Sequence, residues 1–168
     1  VRPEDETVQR HLSQAQAAAR NGLRQSRHVV EDLLPEQLAQ ATLPDAIANV
    51  VARWSESSGI PTEFAVTGEM VVLETAVDKA LLRATQEALA NVRKHAQANS
   101  VTVTLSYWGD QVMLDIQDDG IGIASAKKPT DGGYGLIAMR ERIANLNGEV
   151  IIESEPNEGT TVAVSIPV

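Results

Sequence analysis

The chain has 168 residues, a formal net charge of −9, 43% hydrophobic and 3% aromatic residues, and no cysteine. This length suits one ordinary domain with an additional element, and the acidic balance argues against a nucleic-acid-binding domain, which usually presents a basic face. The lack of cysteine excludes disulfides and thiolate metal sites. No apolar run approaches the roughly 20 residues of a membrane span. These features fit a cytoplasmic domain without membrane contact, although a cysteine-free secreted protein would look the same, and they are compatible with a membrane anchor elsewhere in a longer protein.

The first segment, residues 4–34, carries apolar residues at helical intervals of three, four and seven. This period predicts one long amphipathic helix, and its length favours an interaction helix over a helix packed on its own domain. Pro35 ends the helix because proline cannot continue its hydrogen-bond ladder. A linker extends from there to Leu43 and Pro44. We therefore predict two regions, an interaction helix at 1–36 and a second domain at 37–168.

The second region alternates between the two periods of regular secondary structure. Helical spacing of apolar residues predicts helices at 45–57, 73–95 and 134–146. Alternation predicts strands at 62–66, 101–105, 112–116, 150–153 and 161–166. Glycine-bearing turns join two pairs of strands as hairpins, and a polar loop at 121–133 precedes the last helix. Because the hairpins are segregated from the helices, the order predicts a two-layer α/β sandwich rather than a doubly wound sheet.

Polar side chains cluster on one face near the end of the second helix of this region. They are Glu87, Asn91, Lys94 and His95, the last two lying three and four residues after Asn91. An amide oxygen can bind magnesium, an ammonium group can meet a phosphate, and a carboxylate can orient or deprotonate a nucleophile. Taken alone, such a face is more typical of a solvated helix surface.

Two glycine-bearing turns follow, and each is ambiguous alone. Asp118-Asp119-Gly120-Ile121-Gly122-Ile123 comes directly after a strand, where a carboxylate can accept a hydrogen bond from an adenine amine and the isoleucines can cover the base. It is equally a common hairpin turn. Gly132-Gly133-Tyr134-Gly135-Leu136 opens a helix, as an anion site or a simple N-cap would. It is neither a P-loop nor a dinucleotide-binding fingerprint.

The ordered combination of these segments is specific. QEALANVRKHA, DDGIGI, GGYGL and EGTTVAVSIP, in that order, resemble the ATP-binding domain of the GHKL superfamily. GLIAMRERIANLNGEVIIES and VVEDLLPEQL are similar to sensor histidine kinases of the NarX and DesK type. The resemblance covers residues 29–168. It implies the Bergerat ATPase fold, a two-layer α/β sandwich, here preceded by a long N-terminal helix.

The resemblance also implies a role for each matching residue. Asn91 would hold Mg²⁺, Glu87 would act as the base or polarising group, and Lys94 and His95 would reach the ATP phosphates. Asp118 would bind the adenine amine. The remaining ATP-binding residues would be Gly120, Gly122, Ile123, Gly133, Gly135, Leu136 and Thr160.

One feature of these kinases has no match in this chain. Their acceptor histidine lies on the first helix of a dimeric hairpin and precedes an acidic residue, whereas residues 4–34 resemble the second hairpin helix. The resemblance therefore implies that region 1–36 is a partial dimerisation region. His11 is followed by Leu12. We therefore expect an ATP-dependent histidine kinase fragment that cannot phosphorylate itself alone. Its partners would be ATP, the histidine-bearing helical hairpin of the full-length homodimer, and a response regulator.

Two other functions use the same motifs. One is an anti-sigma-factor serine kinase of the superfamily, against which the long helix ending in DLLP argues. The other is a non-catalytic nucleotide-sensing module, against which the presence of both Glu87 and Asn91 argues.

Overall fold

The computed structural model describes residues 41–123 and 134–168. The chain divides into two units, Val1–Gln40 and Ala41–Val168, and all described residues belong to the second. The helix predicted over 4–34 and residues 124–133 of the predicted loop lie outside the described residues. Among the helices that are described, none is long and apolar enough to cross a membrane.

Helix α1, Leu43–Ser58, begins two residues before the start that the sequence predicts. Thr42 and Asp45 form a reciprocal capping box, and Pro44 lies within the first turn, where proline is tolerated. Pro44 is therefore part of the helix, and the prediction that placed it in a linker is wrong. Gly59 ends the helix in the left-handed conformation at φ 73°.

The sheet contains five strands in the spatial order β1-β2-β3-β5-β4. Their bounds are β1 Thr62–Thr67, β2 Val101–Trp108, β3 Gln111–Asp118, β4 Glu149–Glu155 and β5 Gly159–Pro167. β1 pairs with β2 in parallel, and all other neighbours are antiparallel. The parallel pair makes the sheet mixed. Both predicted hairpins, β2–β3 and β4–β5, are present.

Helix α2, Thr75–Asn91, continues directly into a π-helical turn at Val92–Ala96. Gln97 then ends the helical segment in the left-handed conformation at φ 52°. The sequence predicts a helix at 73–95 that ends near Gln97, which starts two residues too early, and it does not predict the change in winding. Short π segments are rare and often occur at functional sites.

Helix α3, Tyr134–Ala144, completes one helical layer with α1 and α2. α2 is central: it packs against α1, α3 and strands β3 and β5, while α1 also reaches β1 and α3 reaches β4. Alternate residues of β2 and β3 point into the core between the two layers and are fully buried. The two-layer α/β fold is therefore confirmed.

Candidate functional site

The predicted helix motif lies where α2 meets the π turn. Glu87 and Asn91 are half-buried in the last turn and a half of α2, whereas Lys94 and His95 are exposed in the π turn. The opposite stripe of α2, including Leu81, is fully buried. The core thus fixes the helix in the orientation that leaves Glu87 and Asn91 facing outward.

Asn91 carries an unsatisfied polar atom. Its Nδ2 is buried and has no hydrogen-bond partner among the described residues. Buried polar atoms are normally paired, so an orphaned N–H donor at this position is a reason to expect an acceptor from a ligand, such as a phosphate oxygen, while the Asn91 amide oxygen is the atom that could bind a cation. The described residues hold no group of three acidic, histidine or cysteine side chains that could form a metal cage. This donor set fits magnesium held by one amide oxygen together with nucleotide phosphates, which is a usual arrangement for that ion.

Lys94 lies beside a groove that the sequence did not predict. The groove has a volume of about 380 Å³ and is lined by Trp54, Gln86, Ala90, Arg93 and Lys94. Only Lys94 belongs to the predicted site. Because a π turn winds more loosely than an α-helix, residues beyond Asn91 leave the straight face that a spacing of three and four predicts.

Asp118 ends β3 as a buried carboxylate, only 5% exposed. Its Oδ1 accepts a hydrogen bond from the backbone N–H of Gly120 at 2.9 Å. Burial raises the pKa of Asp118, while hydrogen bonds from the backbone of Gly120 and Thr160 oppose the rise and the charge of Asp119 adds to it. A partly desolvated carboxylate of this kind can accept one specific hydrogen bond from a ligand.

The turn that follows Asp118 is docked onto the end of the π turn. Ile121 donates its backbone N–H to the carbonyl of Ala96 at 2.8 Å, and any side chain at Gly120 would overlap that same carbonyl. Glycine is therefore required by the close approach of two backbones. The contact joins the helix motif to the Asp118 turn. Ile121 and Ile123 leave 44% and 51% of their surfaces exposed beside the buried carboxylate.

The β4–β5 hairpin holds the turn from its other side. Ile123 donates its N–H to Ser154 Oγ at 2.8 Å, and Ser154 Oγ donates to the carbonyl of Gly159 at 2.9 Å and lies 3.0 Å from Thr160 Oγ1. Gly122, at φ 67°, lies directly against the carbonyl of Glu155. Five predicted residues therefore meet at one turn: Asp118, Gly120, Gly122, Ile123 and Thr160.

The sequence analysis assigned no role to three residues that support the site. Ser154 links the turn to the hairpin, as described above. Asp119 accepts hydrogen bonds from the N–H groups of Asn99 and Ser100 at 2.7 and 2.9 Å, which lower its pKa. Gly159, at φ 86°, lies against the carbonyl of Asp118. Gly159 and Asp119 lie within the EGTTVAVSIP and DDGIGI segments but had no role of their own in the pattern, and nothing in the pattern marks Ser154.

The start of α3 reaches the helix motif directly. Gly135 lies against the carboxylate of Glu87, so that a side chain there would overlap Glu87 Oε1. Leu136 is half-buried in the next position. Gly133 lies outside the described residues. Two groupings thus result: Glu87 with Gly135, and the Asp118 turn with the β4–β5 hairpin, joined through the π turn at Ala96.

Comparison with known proteins gives consistent results. Residues 76–168 match the model of the histidine kinase-, DNA gyrase B-, and HSP90-like ATPase family. The chain is 34% identical over 149 residues to the signal transduction histidine-protein kinase/phosphatase DegS of Brevibacillus brevis, covering 89% of this chain and 38% of the relative. It is 32% identical over 158 residues to the sensor histidine kinase LnrJ of Bacillus subtilis, covering 94% of this chain and 37% of the relative. The chain therefore spans little more than a third of these relatives.

Solved structures agree on the fold. The blue-light activated histidine kinase EL346 of Erythrobacter litoralis superposes with a TM-score of 0.67 at 22% identity, covering 96% of this chain and 60% of that one. The mycobacterial sensor histidine kinase MprB gives a TM-score of 0.58 at 21% identity, covering 73% of this chain and 92% of that one. The family match spans more than half of the 168 residues. The chain belongs to the histidine kinase-, DNA gyrase B-, and HSP90-like ATPase family.

Proposed function

We propose that this chain is the phosphoryl-donating part of a two-component kinase, which transfers the γ-phosphoryl group of ATP to a histidine on a separate helical hairpin. One observation carries the proposal: the buried Asp118 carboxylate is hydrogen-bonded through its turn to the end of the helix that bears Glu87 and Asn91. The group that would bind the adenine base and the groups that would bind the phosphates therefore belong to one folded unit.

The base would bind at the Asp118 turn. Asp118 would accept a hydrogen bond from the adenine amine, which guanine lacks at that position. Ile121 and Ile123 would cover the ring, because both are apolar and roughly half exposed at this place. Gly120 and Gly122 support this role by letting the turn lie close to neighbouring carbonyl groups without side chains in the way. Thr160 would add a hydroxyl behind the carboxylate.

The phosphates would lie between α2 and the start of α3. Asn91 is the residue that would hold Mg²⁺, whose charge would offset that of the phosphates. Lys94 and His95 are exposed and have no hydrogen-bond or ion-pair partner within the described ranges, so both are available to phosphate oxygens. Gly133, Gly135 and Leu136 would close over the phosphates.

Glu87 would act as the base for the acceptor histidine. In an in-line transfer, the lone pair of a neutral imidazole nitrogen attacks the γ-phosphorus while the bond to the β–γ bridging oxygen breaks and ADP leaves. Glu87 would take the proton from the second imidazole nitrogen. Phosphohistidine, ADP and one proton then account for all atoms and charges.

The partners follow from the proposal that this chain donates the phosphoryl group and a separate hairpin accepts it. The acceptor would be the histidine-bearing hairpin of the full-length homodimer, and the phosphoryl group would pass on to a response regulator in the cytoplasm. The division at residues 1–36 and 37–168 remains a prediction.

The test is transfer in trans. The 168-residue chain is mixed with a separate hairpin bearing the acceptor histidine, magnesium and ATP labelled at the γ-phosphate. We expect acid-labile label on the hairpin and a loss of roughly a hundredfold or more in rate for Glu87→Gln. The matched control is Glu63→Gln, which removes an exposed carboxylate in β1 and should keep the parental rate.

Two results would overturn the proposal. Measurable ATP binding without any label on the hairpin would exclude kinase activity and leave a nucleotide-sensing module. Acid-stable label on a serine of an added protein would instead support the serine kinase alternative.

A further inference from the structure

Gly135 makes an unusual contact for a helical glycine. It is the second residue of α3, and a Cβ built on it would overlap Oε1 and Cδ of Glu87 and lie 3.0 Å from Oε2. The neighbours of Gly120, Gly122 and Gly159 are mainly backbone carbonyls, whereas the three nearest atoms at Gly135 all belong to one carboxyl group.

The backbone does not require glycine at this position. Gly135 is not in the left-handed region, where glycine is favoured, and it lies in a helix, where alanine is more stable than glycine. The close approach of the carboxylate is therefore the structural reason for a residue without a side chain. The first turn of a helix also attracts a carboxylate, because its free N–H groups carry partial positive charge.

We propose that Gly135 is a positioning residue for Glu87. The missing side chain lets the carboxylate of Glu87 lie against the first turn of α3, which sets the direction of the carboxylate and ties it to the start of that helix. An alanine at this position pushes the carboxylate away, at modest cost to the fold, because the displaced atoms are the end of a flexible side chain. The catalytic consequence rests on the proposed kinase activity, but the contact itself does not.

A double-mutant cycle in thermal stability tests the contact on the 168-residue chain. Gly135→Ala is made in the parent and in Glu87→Ala. Where the carboxylate is absent, alanine is the better helix residue, so we expect it to raise the melting temperature by about 3 °C. In the parent, the displaced carboxylate cancels most or all of that rise. The same shift in both backgrounds would show no coupling and overturn the proposal.

The matched control replaces the neighbouring side chain. Gln86 is also half-buried on α2 and is not among the atoms nearest to Gly135. In Gln86→Ala the effect of Gly135→Ala should be the same as in the parent. A cancellation in the parent that Gln86→Ala also relieves would trace the effect to general packing of α2 and would contradict a specific role for Glu87.

The rate of phosphoryl transfer to the separate hairpin then measures the effect of Gly135→Ala on catalysis. At saturating ATP, where a change in ATP affinity does not limit the rate, we expect Gly135→Ala to lower the rate of transfer about tenfold and to cause no further loss in Glu87→Gln. Additive losses would contradict positioning through Glu87. If the parent itself transfers no label, the proposed function fails, while the stability cycle still decides the contact.

Discussion

Asp118 and Asp119 are neighbours in sequence with opposite surroundings. Asp118 is buried, and that burial raises its pKa, whereas Asp119 is exposed and the N–H groups of Ser100 and Asn99 lower its pKa. The sequence placed Asp118 at the end of a strand, which the structure confirms, but it did not predict that the carboxylate is buried. It gave no reason to assign Asp119 a task, because hydrogen bonds to residues 99 and 100 depend on how β2 begins beside the end of β3.

The raised pKa of Asp118 predicts a pH dependence of nucleotide choice. The ionised form is the better acceptor for the adenine amine, so protonation weakens ATP binding without a matching effect on GTP. Because the pKa is raised, the ratio of ATP to GTP affinity should begin to fall, as pH is lowered, at a higher pH than an aspartate with the ordinary value of 3.8 would give.

Equilibrium binding of both nucleotides across the acidic range measures this ratio. The phosphates of ATP and GTP titrate alike and cancel, and circular dichroism at each pH confirms that the fold persists. In Asp118→Asn the ratio should follow only the protonation of the adenine ring itself. A ratio in the parent with the same pH dependence as in this variant would contradict the assignment of the base to Asp118.

Asp119 is expected to stabilise the fold without binding nucleotide. Asp119→Ala leaves the N–H groups of Asn99 and Ser100 without their acceptor and should lower the melting temperature at neutral pH. Since the folded-state pKa is lowered, this contribution is present above the ordinary value of 3.8 and is lost as pH falls through the lowered value. The deficit of the variant should therefore shrink in strong acid.

Asp110→Ala provides the comparison. Asp110 is an exposed carboxylate in the β2–β3 turn whose side chain has no hydrogen-bond partner among the described residues. Its removal should leave the melting temperature close to that of the parent. Equal effects of the two substitutions would show that the hydrogen bonds of Asp119 contribute nothing beyond its charge.

At the scale of elements, the π turn explains where helical spacing predicted the positions of side chains and where it did not. Regular spacing predicted the α2 segment to its end near Gln97 and placed Glu87 and Asn91 on its outward face. Lys94 and His95 follow in the wider turn, where a period of 3.6 no longer applies. No local pattern distinguishes a π turn from an α-helix, because the two differ only in the register of their backbone hydrogen bonds.

A third prediction concerns stability at Gly159, where β5 lies close to β3. Gly159 combines a left-handed φ of 86° with a position directly against the carbonyl of Asp118, which leaves no room for a methyl group. Gly159→Ala should therefore lower the free energy of unfolding by about 3 kcal/mol, from backbone strain and displacement of β3 together.

Gly109→Ala separates the two causes. Gly109 also has a left-handed φ, 62°, but nothing lies within 4 Å of a Cβ built there. Its substitution should cost only the strain of the left-handed conformation, about 1 kcal/mol. Urea unfolding of both variants makes the comparison. Equal losses would show that the contact with Asp118 does not contribute to stability.

At the scale of the whole molecule, the class of fold could be predicted and the arrangement of the strands could not. Segregated hairpins and amphipathic helices were enough to predict two layers. The parallel pairing of β1 with β2 brings together strands separated by the whole of α2, and the sequence between them carries no sign of which edge β1 will join. That pairing depends on which surfaces the helical layer covers.

The candidate site could also be predicted only in part. The residues proposed for ATP binding and phosphoryl transfer were identified through a resemblance of ordered motifs, since each motif alone was ambiguous. The contacts that bring them together are long-range: Ile121 to Ala96, Ile123 to Ser154 and Gly135 to Glu87. They depend on how the sheet edge, the π turn and α3 pack, so only the folded chain defines them.

The proposed ATP site is tested most directly by the affinity of the 168-residue chain for ATP and for GTP, measured with magnesium in the parent and in Asp118→Asn. We expect the parent to prefer ATP, and the variant to keep its fold while that preference falls roughly tenfold or more, as the loss of one charged hydrogen bond implies. A parent that binds no ATP, or a folded variant with an unchanged preference, would contradict the assignment of this site.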